Sequence, residues 1–402
     1  MKAERLWNIR FVQLVLIEAL FQFGAYMTNP VVSGYAVALG ATIAVGGVLA
    51  GLSASMALVA RPLTGWLADR LAKKSFLLIA AALFCASAFG CALSSSVAVI
   101  GLFRVMAGIA FAFRSAAVIA LVSLSVPAER LGQAVGWTGI AQTVSCALGP
   151  AAGALVIGAA GYPASFAAAG VLFVIGFAVS LSFREPAGAA PAPRPAKPAA
   201  PRAAAPGRPA SGPRAWLERF IYLPNVPVAV MAGLSIVPHG VAVTLLLTAG
   251  ELRGIAGVSA YYAVYAIAAL VSKPTAGRLT DRWGTRRVVA PALVVELAAT
   301  VLLAGMASLP LVLLAAACMG VGQGSAYAAI QAQAVRDVPA HELGRASNTF
   351  YIGTDIGMGF GPMAAGAVLQ SWGVGAMFLA CGGLVLLALG ILAALRPPNP
   401  TT

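Results

Sequence analysis

Arg61-Pro62-Leu63-Thr64-Gly65-Trp66-Leu67-Ala68-Asp69-Arg70 returns 212 positions later as Lys273-Pro274-Thr275-Ala276-Gly277-Arg278-Leu279-Thr280-Asp281-Arg282. The same offset carries Pro127, Leu131 and Gly132 onto Pro339, Leu343 and Gly344, and Gly149-Pro150 onto Gly361-Pro362. Landmarks that share one offset across half a chain mark a tandem duplication. Each repeat must therefore be read as one copy of a larger unit.

Composition decides what that unit is. Sixty per cent of the residues are hydrophobic and 9% are charged, whereas about a quarter are charged in an ordinary soluble domain. A bilayer-spanning helix needs ~20 mostly apolar residues. Twelve such stretches can be marked, at 11–38, 43–66, 75–94, 97–122, 133–158, 163–183, 224–249, 256–279, 287–307, 309–335, 345–370 and 374–395. Ten-residue alternating runs, the mark of an outer-membrane barrel, are absent from the sequence. The expected fold class is an all-α membrane protein, with twelve transmembrane helices in two pseudo-symmetric six-helix bundles. The first stretch is too long for a secretory signal and carries Glu18, so it reads as a retained span.

Net charge is +14, but the distribution argues against a nucleic-acid partner. With both termini inside, the basic residues fall at Lys2, Arg5 and Arg10, at Arg70, Lys73 and Lys74, in the centre of the chain, and at Arg282, Arg286 and Arg287. On the other side stands Arg253 beside Glu251. This asymmetry is the positive-inside rule and sets orientation. It points to a multi-pass protein of a bacterial cytoplasmic membrane with both termini cytoplasmic and the lipid bilayer as surroundings. Between Pro186 and Pro213 lie nine prolines, interleaved with alanines and with Arg194, Lys197, Arg202 and Arg208. Such a segment buries too little apolar surface to offset its ordering entropy and reads as a tether. Trp216, Leu217, Phe220, Ile221 and Tyr222 then read as an amphipathic re-entry at the membrane surface. The expected organisation is a bundle at 1–183, a linker at 184–222 and a bundle at 223–402.

Cys85, Cys91, Cys146, Cys318 and Cys381 all fall inside expected spans, and their odd number and spacing suit packing rather than a metal. No P-loop, metal-spaced His/Cys set or nucleophile elbow is present, and the histidines are His239 and His341. The expectation is no enzyme, no cofactor, no metal and no ATP-driven step.

The run Gly65-Trp66-Leu67-Ala68-Asp69-Arg70-Leu71-Ala72-Lys73-Lys74 resembles the signature loop between spans two and three of the major facilitator superfamily, and the 6+6 architecture extends that likeness over nearly the whole chain. Within the superfamily the likeness is to the proton-coupled efflux permeases of arabinose-efflux and multidrug type. The resemblance implies a cytoplasmic gate, with Asp69 accepting from a helix N-terminus and pairing with Arg70 or the nearby lysines. The second copy keeps Gly277, Asp281, Arg282, Gly284, Arg286 and Arg287. The first has Ala72 where a second glycine is usual, so its turn should be less strained. A purely topogenic basic loop is the other reading of the same residues.

Gly101 to Gly108 resembles the second superfamily motif, whose intramembrane arginine is here Arg104. A cation at that depth is costly unless paired or hydrated, so it should face a cavity. Arg114, ten residues on, reads either as a second cavity cation or as a group snorkelling outward. Gly136, Gly149, Pro150 and Gly153 resemble the antiporter motif of proton-linked exporters, with Ser145 and Ala154 replacing two glycines. Gly357, Gly361 and Pro362 form its second copy, which suggests that part of the pattern is packing at the interface between bundles.

Glu18, Gln22, Tyr26 and Asn29 lie within ~80° on one face of the first span, a polar stripe on an apolar helix. His239, Gln323, Tyr327 and Gln331 are polar at comparable depth, and the resemblance puts their spans along a central cavity. Tyr261, Tyr265 and Tyr351 would add an amphipathic lining. Glu18, Glu296 and Asp355 are the carboxylates set well within spans. A cavity that opens and closes changes both the desolvation of such a group and its distance from an arginine, which lets it take up a proton on one side and release it on the other. Glu18 and Asp355 are the preferred coupling candidates, with Arg104 as counter-charge; hydrogen-bonded packing is the alternative for both. Glu296 reads as a structural group bonded to a neighbour.

The functional expectation is a secondary active transporter working by alternating access, a monomer moving a small molecule with protons. Span five favours export of a drug-like molecule or metabolite over uptake. A non-transporting sensor or scaffold is the reading from another class.

Overall fold

The computed structural model describes residues 7–68, 72–126, 131–185, 221–336, 338 and 343–394. Ten long helices account for nearly all of them: α1 Ile9–Ala38, α2 Ile43–Ala68, α3 Lys73–Leu93, α4 Val97–Ser125, α5 Leu131–Ser182, α6 Val226–Leu252, α7 Ala260–Trp283, α8 Thr285–Ala304, α9 Leu309–Val335 and α10 Leu343–Ala394. No strand occurs among the described residues. Nine of these helices are long and apolar enough to cross a membrane; α7, with Tyr261, Tyr262 and Tyr265 in its first turns and Lys273, Arg278, Asp281 and Arg282 after them, is less apolar.

The difference between ten helices and twelve expected spans has a physical reason. Helices α5 and α10 are each 52 residues long, about 78 Å at the usual rise, more than twice a ~30 Å hydrocarbon core. Each is broken once. Gly161 takes φ 84°, ψ 175° and Gly373 takes φ 79°, ψ −178°, conformations open essentially to glycine alone. At the first break the chain folds back, since Ser165 Oγ donates to the Gly153 carbonyl at 3.5 Å, residues that a straight helix would hold ~18 Å apart. Divided at their glycines, α5 and α10 supply two arms each, in the order of the twelve expected segments.

The duplication is visible at the level of elements. Helices α3, α4 and α5 begin 212 residues before α8, α9 and α10, and Gly161 precedes Gly373 by the same interval. Packing repeats too. The first arm of α5 runs alongside α1, with Ser145 bonded to Ala19 and Gly153 pressed on Met27. The first arm of α10 runs alongside α6, with Gly353 on Ala229 and Gly357 on Gly233. A Cβ at any of these glycines would meet backbone, so helix–helix approach is closer than side chains allow. The second arms pack antiparallel on α3 and α8, fixed by Lys74 Nζ to the Leu181 carbonyl at 2.9 Å and Arg286 to the Ala393 carbonyl at 3.4 Å.

Local signals set the ends. Asn8 caps α1, accepting from Phe11 N at 2.9 Å while its amide reaches the Ser125 carbonyl at 2.7 Å. Asn225, in a 3-10 turn before α6, donates to the carbonyls of Ala334 at 2.5 Å and Ala346 at 3.4 Å. The start of the second half is thus bonded into its own bundle. In the first copy of the loop Ala72 has φ −59°, ψ 137°, open to any residue; in the second, Gly284 has φ 82°. The alanine-for-glycine departure therefore meets a relaxed turn, as its chemistry requires.

Polarity is inverted relative to a soluble protein. Leu155, Ile267 and Trp372 stand on the outside, while Glu18, Arg104, Arg114 and Glu296 are buried. An apolar exterior wrapped around charged interior groups is what a lipid solvent selects. Helix α6 is buried on nearly every side; it runs through the centre of the molecule.

Candidate functional site

Helices α1 and α4 run antiparallel, and two arginines of α4 reach α1 at matching depths. Arg104 donates to Asn29 Oδ1 at 2.9 Å and Ser53 Oγ at 2.6 Å, and to the carbonyls of Leu49 at 3.3 Å and Ala50 at 3.4 Å. Its partners are neutral acceptors. Farther along, Arg114 pairs with Glu18, both almost fully buried, with the Phe111 ring 4.9 Å from the guanidinium. Arg104 is therefore not the counter-charge of Glu18, and Arg114 does not snorkel. Ten residues along α4 move an arginine by ~15 Å, and the stripe on α1 matches that interval. Gln22, buried, and Tyr26, half-buried, both lie between these two clusters along α1.

The halves meet along two seams. On one, α2 and the first arm of α10 run antiparallel in close contact. Gly47 faces Gly366, Gly51 faces the Gly359 carbonyl, and Ala44 N donates to Gln370 at 2.9 Å. Near the linker side of this seam, Arg61 Nε lies 2.5 Å from Asp355 Oδ2, and the guanidinium stands 5.9 Å from the Tyr351 ring. Arg61 is thus the partner of Asp355, in place of Arg104. Arg61 opened the repeated motif, but spacing alone could not join it to a residue 294 positions away. On the other seam, α5 faces α7, and Lys273 Nζ lies 3.4 Å from Thr143 Oγ1.

Above this second contact the interior is aromatic. Cys146 Sγ is 3.6 Å from His239 Nε2, His239 stacks on Tyr265 at 4.7 Å between centroids, and Tyr265 donates to Gln323 Oε1 at 2.8 Å. Tyr261 continues the stack at 6.3 Å. The structure thus joins His239 and Gln323 through a tyrosine. Gln331 instead donates to Tyr351 at 3.1 Å, toward the Arg61 pair, and Tyr327 packs on Phe350 at 5.4 Å. Glu296 departs from expectation. It is fully buried and neither carboxylate oxygen has a partner among the described residues. Gly322 brings α9 against the Glu296 backbone, enclosing the side chain without offering it a donor.

Comparison with known proteins decides the kinship. The Major Facilitator Superfamily model matches residues 14–271 and 216–402. The chain belongs to the major facilitator superfamily. Among relatives, the Multidrug resistance protein MdtG of Salmonella paratyphi C is 27% identical over 336 residues, covering 82% of this chain and 79% of that one. Solved structures share the fold. A variant of the nucleoside transporter NupG matches with TM-score 0.69 and 14% identity over 96% of this chain and 99% of that one. The human organic anion transporter MFSD10 gives 0.65 and 18% over 95% and 99%. A POT family transporter bound to a thioalcohol-conjugated peptide gives 0.76 and 12% over 96% and 95%. This is an all-α, multi-pass membrane transporter of that superfamily.

The superfamily-like motifs can now be placed. Asp69 and Arg70 lie outside the described residues, as do Pro127, Pro339, His341 and the linker from 186 to 220; the side chain of Asp281 and the surroundings of Gly65 and Gly136 do too. Lys73 and Lys74 open α3, and Glu185 accepts from their backbone N–H groups at 2.9 and 3.3 Å. Gly277 has nothing near its missing Cβ, so it serves no close approach. Arg282 and Arg287 are exposed around the Gly284 turn. The antiporter-like glycines show a second difference. Gly149 and Gly153 pack on α1, and Gly357 and Gly361 on α6. They serve packing within each half, because α10 turns Gly359 and Gly366, not these, toward α2. Pro150 and Pro362 lie inside their helices.

Proposed function

We propose that this chain is a proton-coupled exporter of a small drug-like molecule or metabolite, working by alternating access as a monomer in a bacterial cytoplasmic membrane. In this reading twelve spans form bundles 1–183 and 223–402 joined by a cytoplasmic linker at 184–222, with both termini cytoplasmic. The observation that carries it is the Arg61–Asp355 pair, because it bridges the two halves at a seam of glycines. Proton binding to Asp355 removes one charge of the pair and leaves Arg61 unneutralised, so protonation changes the relative free energy of joined and parted halves on that side. A ligand or proton shifts such an equilibrium only through different affinities for the two states. Glu18 with Arg114 offers the first half a second ion pair of the same chemistry. Arg104, held by neutral acceptors, positions α4 against α1 and α2. The signature loop copies act as the cytoplasmic latch. The export direction is supported by the likeness to a multidrug resistance protein and by the antiporter-like run in α5.

Everted membrane vesicles test this. A transported compound should collapse an imposed pH gradient, and Glu18→Gln or Asp355→Asn should abolish the collapse while the protein stays in the membrane. Undiminished collapse in both variants would remove these carboxylates from coupling. A cysteine at Ser211 should react only with cytoplasmic-side reagent; labelling from outside would reverse the orientation.

A further inference from the structure

Positions 61 and 143 map onto 273 and 355 at the 212-residue offset of the repeat. The two cross-seam contacts are therefore two versions of one ancestral contact. On the α2–α10 seam the cation Arg61 meets the carboxylate Asp355. On the α5–α7 seam the cation survives as Lys273, but Thr143 stands where the carboxylate would be. Thr143 is a poor substitute, since its hydroxyl already donates to the Gly139 carbonyl at 2.9 Å and offers Lys273 one neutral oxygen at 3.4 Å. Both ion pairs among the described residues involve other groups, Arg61–Asp355 and Arg114–Glu18.

Lys273 sits ten residues, about 15 Å, before the end of α7. An ammonium there carries three donors and a full charge, half-buried and set against the single neutral oxygen of Thr143. One turn along α5 from Thr143, Cys146 Sγ lies 3.6 Å from His239 Nε2. His239 adds an independent sign: it is buried, and its Nδ1 has no hydrogen-bond partner. Its ring face belongs to the Tyr265–Tyr261 stack. One point charge at the head and a rising column of rings behind it complement an anionic group on an aromatic body.

We propose that Lys273, with Thr143 and His239 beside it, is an anion-binding subsite that selects aromatic organic monoanions, with Tyr265 and Tyr261 holding the aromatic body. Its place on the permeation path rests on the transport reading above; its binding chemistry does not. The full chain in lipid nanodiscs is titrated with 1-naphthoate, its neutral amide 1-naphthamide and the cation 1-naphthylmethylamine. The wild type should bind naphthoate at least about tenfold tighter than naphthamide. Lys273→Met removes the charge, and Thr143→Asp restores the ion pair found at its repeat partner; each should erase that preference while leaving naphthamide binding in place. Lys273→Arg should retain it. Equal affinity for acid and amide in the wild type overturns the proposal, and so does a preference that survives Lys273→Met. Naphthoate binding without vesicle flux counts against transport and not against the subsite; flux with no anion preference counts the other way.

Discussion

Arg114 and Glu18 show most clearly what a charged residue costs and returns in this protein. Removing one member of a buried pair strands the other, at about 3–5 kcal/mol, whereas removing both is often neutral. Arg114→Met should therefore destabilise the detergent-solubilised protein by about that amount, and adding Glu18→Met should recover most of it. Losses that simply add would show the two groups to be uncoupled. Asp355 and Arg61 differ because both retain some exposure, so the cost of breaking that pair should appear in coupling rather than in folding. The charges themselves were legible in the sequence, being few and set in apolar runs. Their partners were not. Periodicity fixes the face of a helix, but pairing depends on which helices become neighbours. Charge alone matches Arg104 to carboxylates, and the structure gives it carbonyls, an amide and a hydroxyl instead. Glu296 differs from its sequence reading for the same reason: no spacing rule announces that a close glycine on another helix will wall off a carboxylate.

At the scale of elements, glycine does two separate jobs, and they predict different outcomes. Gly161 and Gly373 hold positive φ, so alanine at either should cost about 1–3 kcal/mol. Gly158→Ala, on the same helix with open space around it, should be neutral or slightly stabilising. Thermal unfolding in detergent separates the two, and equal effects would deny the special backbone at the breaks. Gly51 does the other job, giving α10 access to α2. Gly51→Val should stop transport while the protein remains folded and membrane-inserted. Gly277→Val, where nothing stands near, should be tolerated; loss of flux there would restore a packing role to the motif glycine. The sequence named many of these glycines by motif, but motif does not say which neighbour each serves. Gly149, Gly153, Gly357 and Gly361 proved to pack inside their own halves, whereas Gly47, Gly51, Gly359 and Gly366, named by no motif, make the seam.

For the whole molecule the offset of 212 was the strongest signal, and it survives into the structure down to the breaking glycine of each half. Fold class and repeat were readable because lipid demands long apolar helices and duplication copies their spacing. The asymmetry between the seams was hidden until the contacts paired position 61 with 355 and 143 with 273. A carrier whose halves differ at those points holds one seam by charge and leaves the other free to take a ligand. The most direct test of the account is the distance between spin labels on opposite halves, at Ser182 and Arg282 on the linker side and at Ser95 and Ala307 on the far side. Between alkaline and acidic buffer one distance should lengthen as the other shortens, and Asp355→Asn should hold both at a single value. Distances that stay unchanged at every pH and with every compound bound would contradict alternating access about this interface.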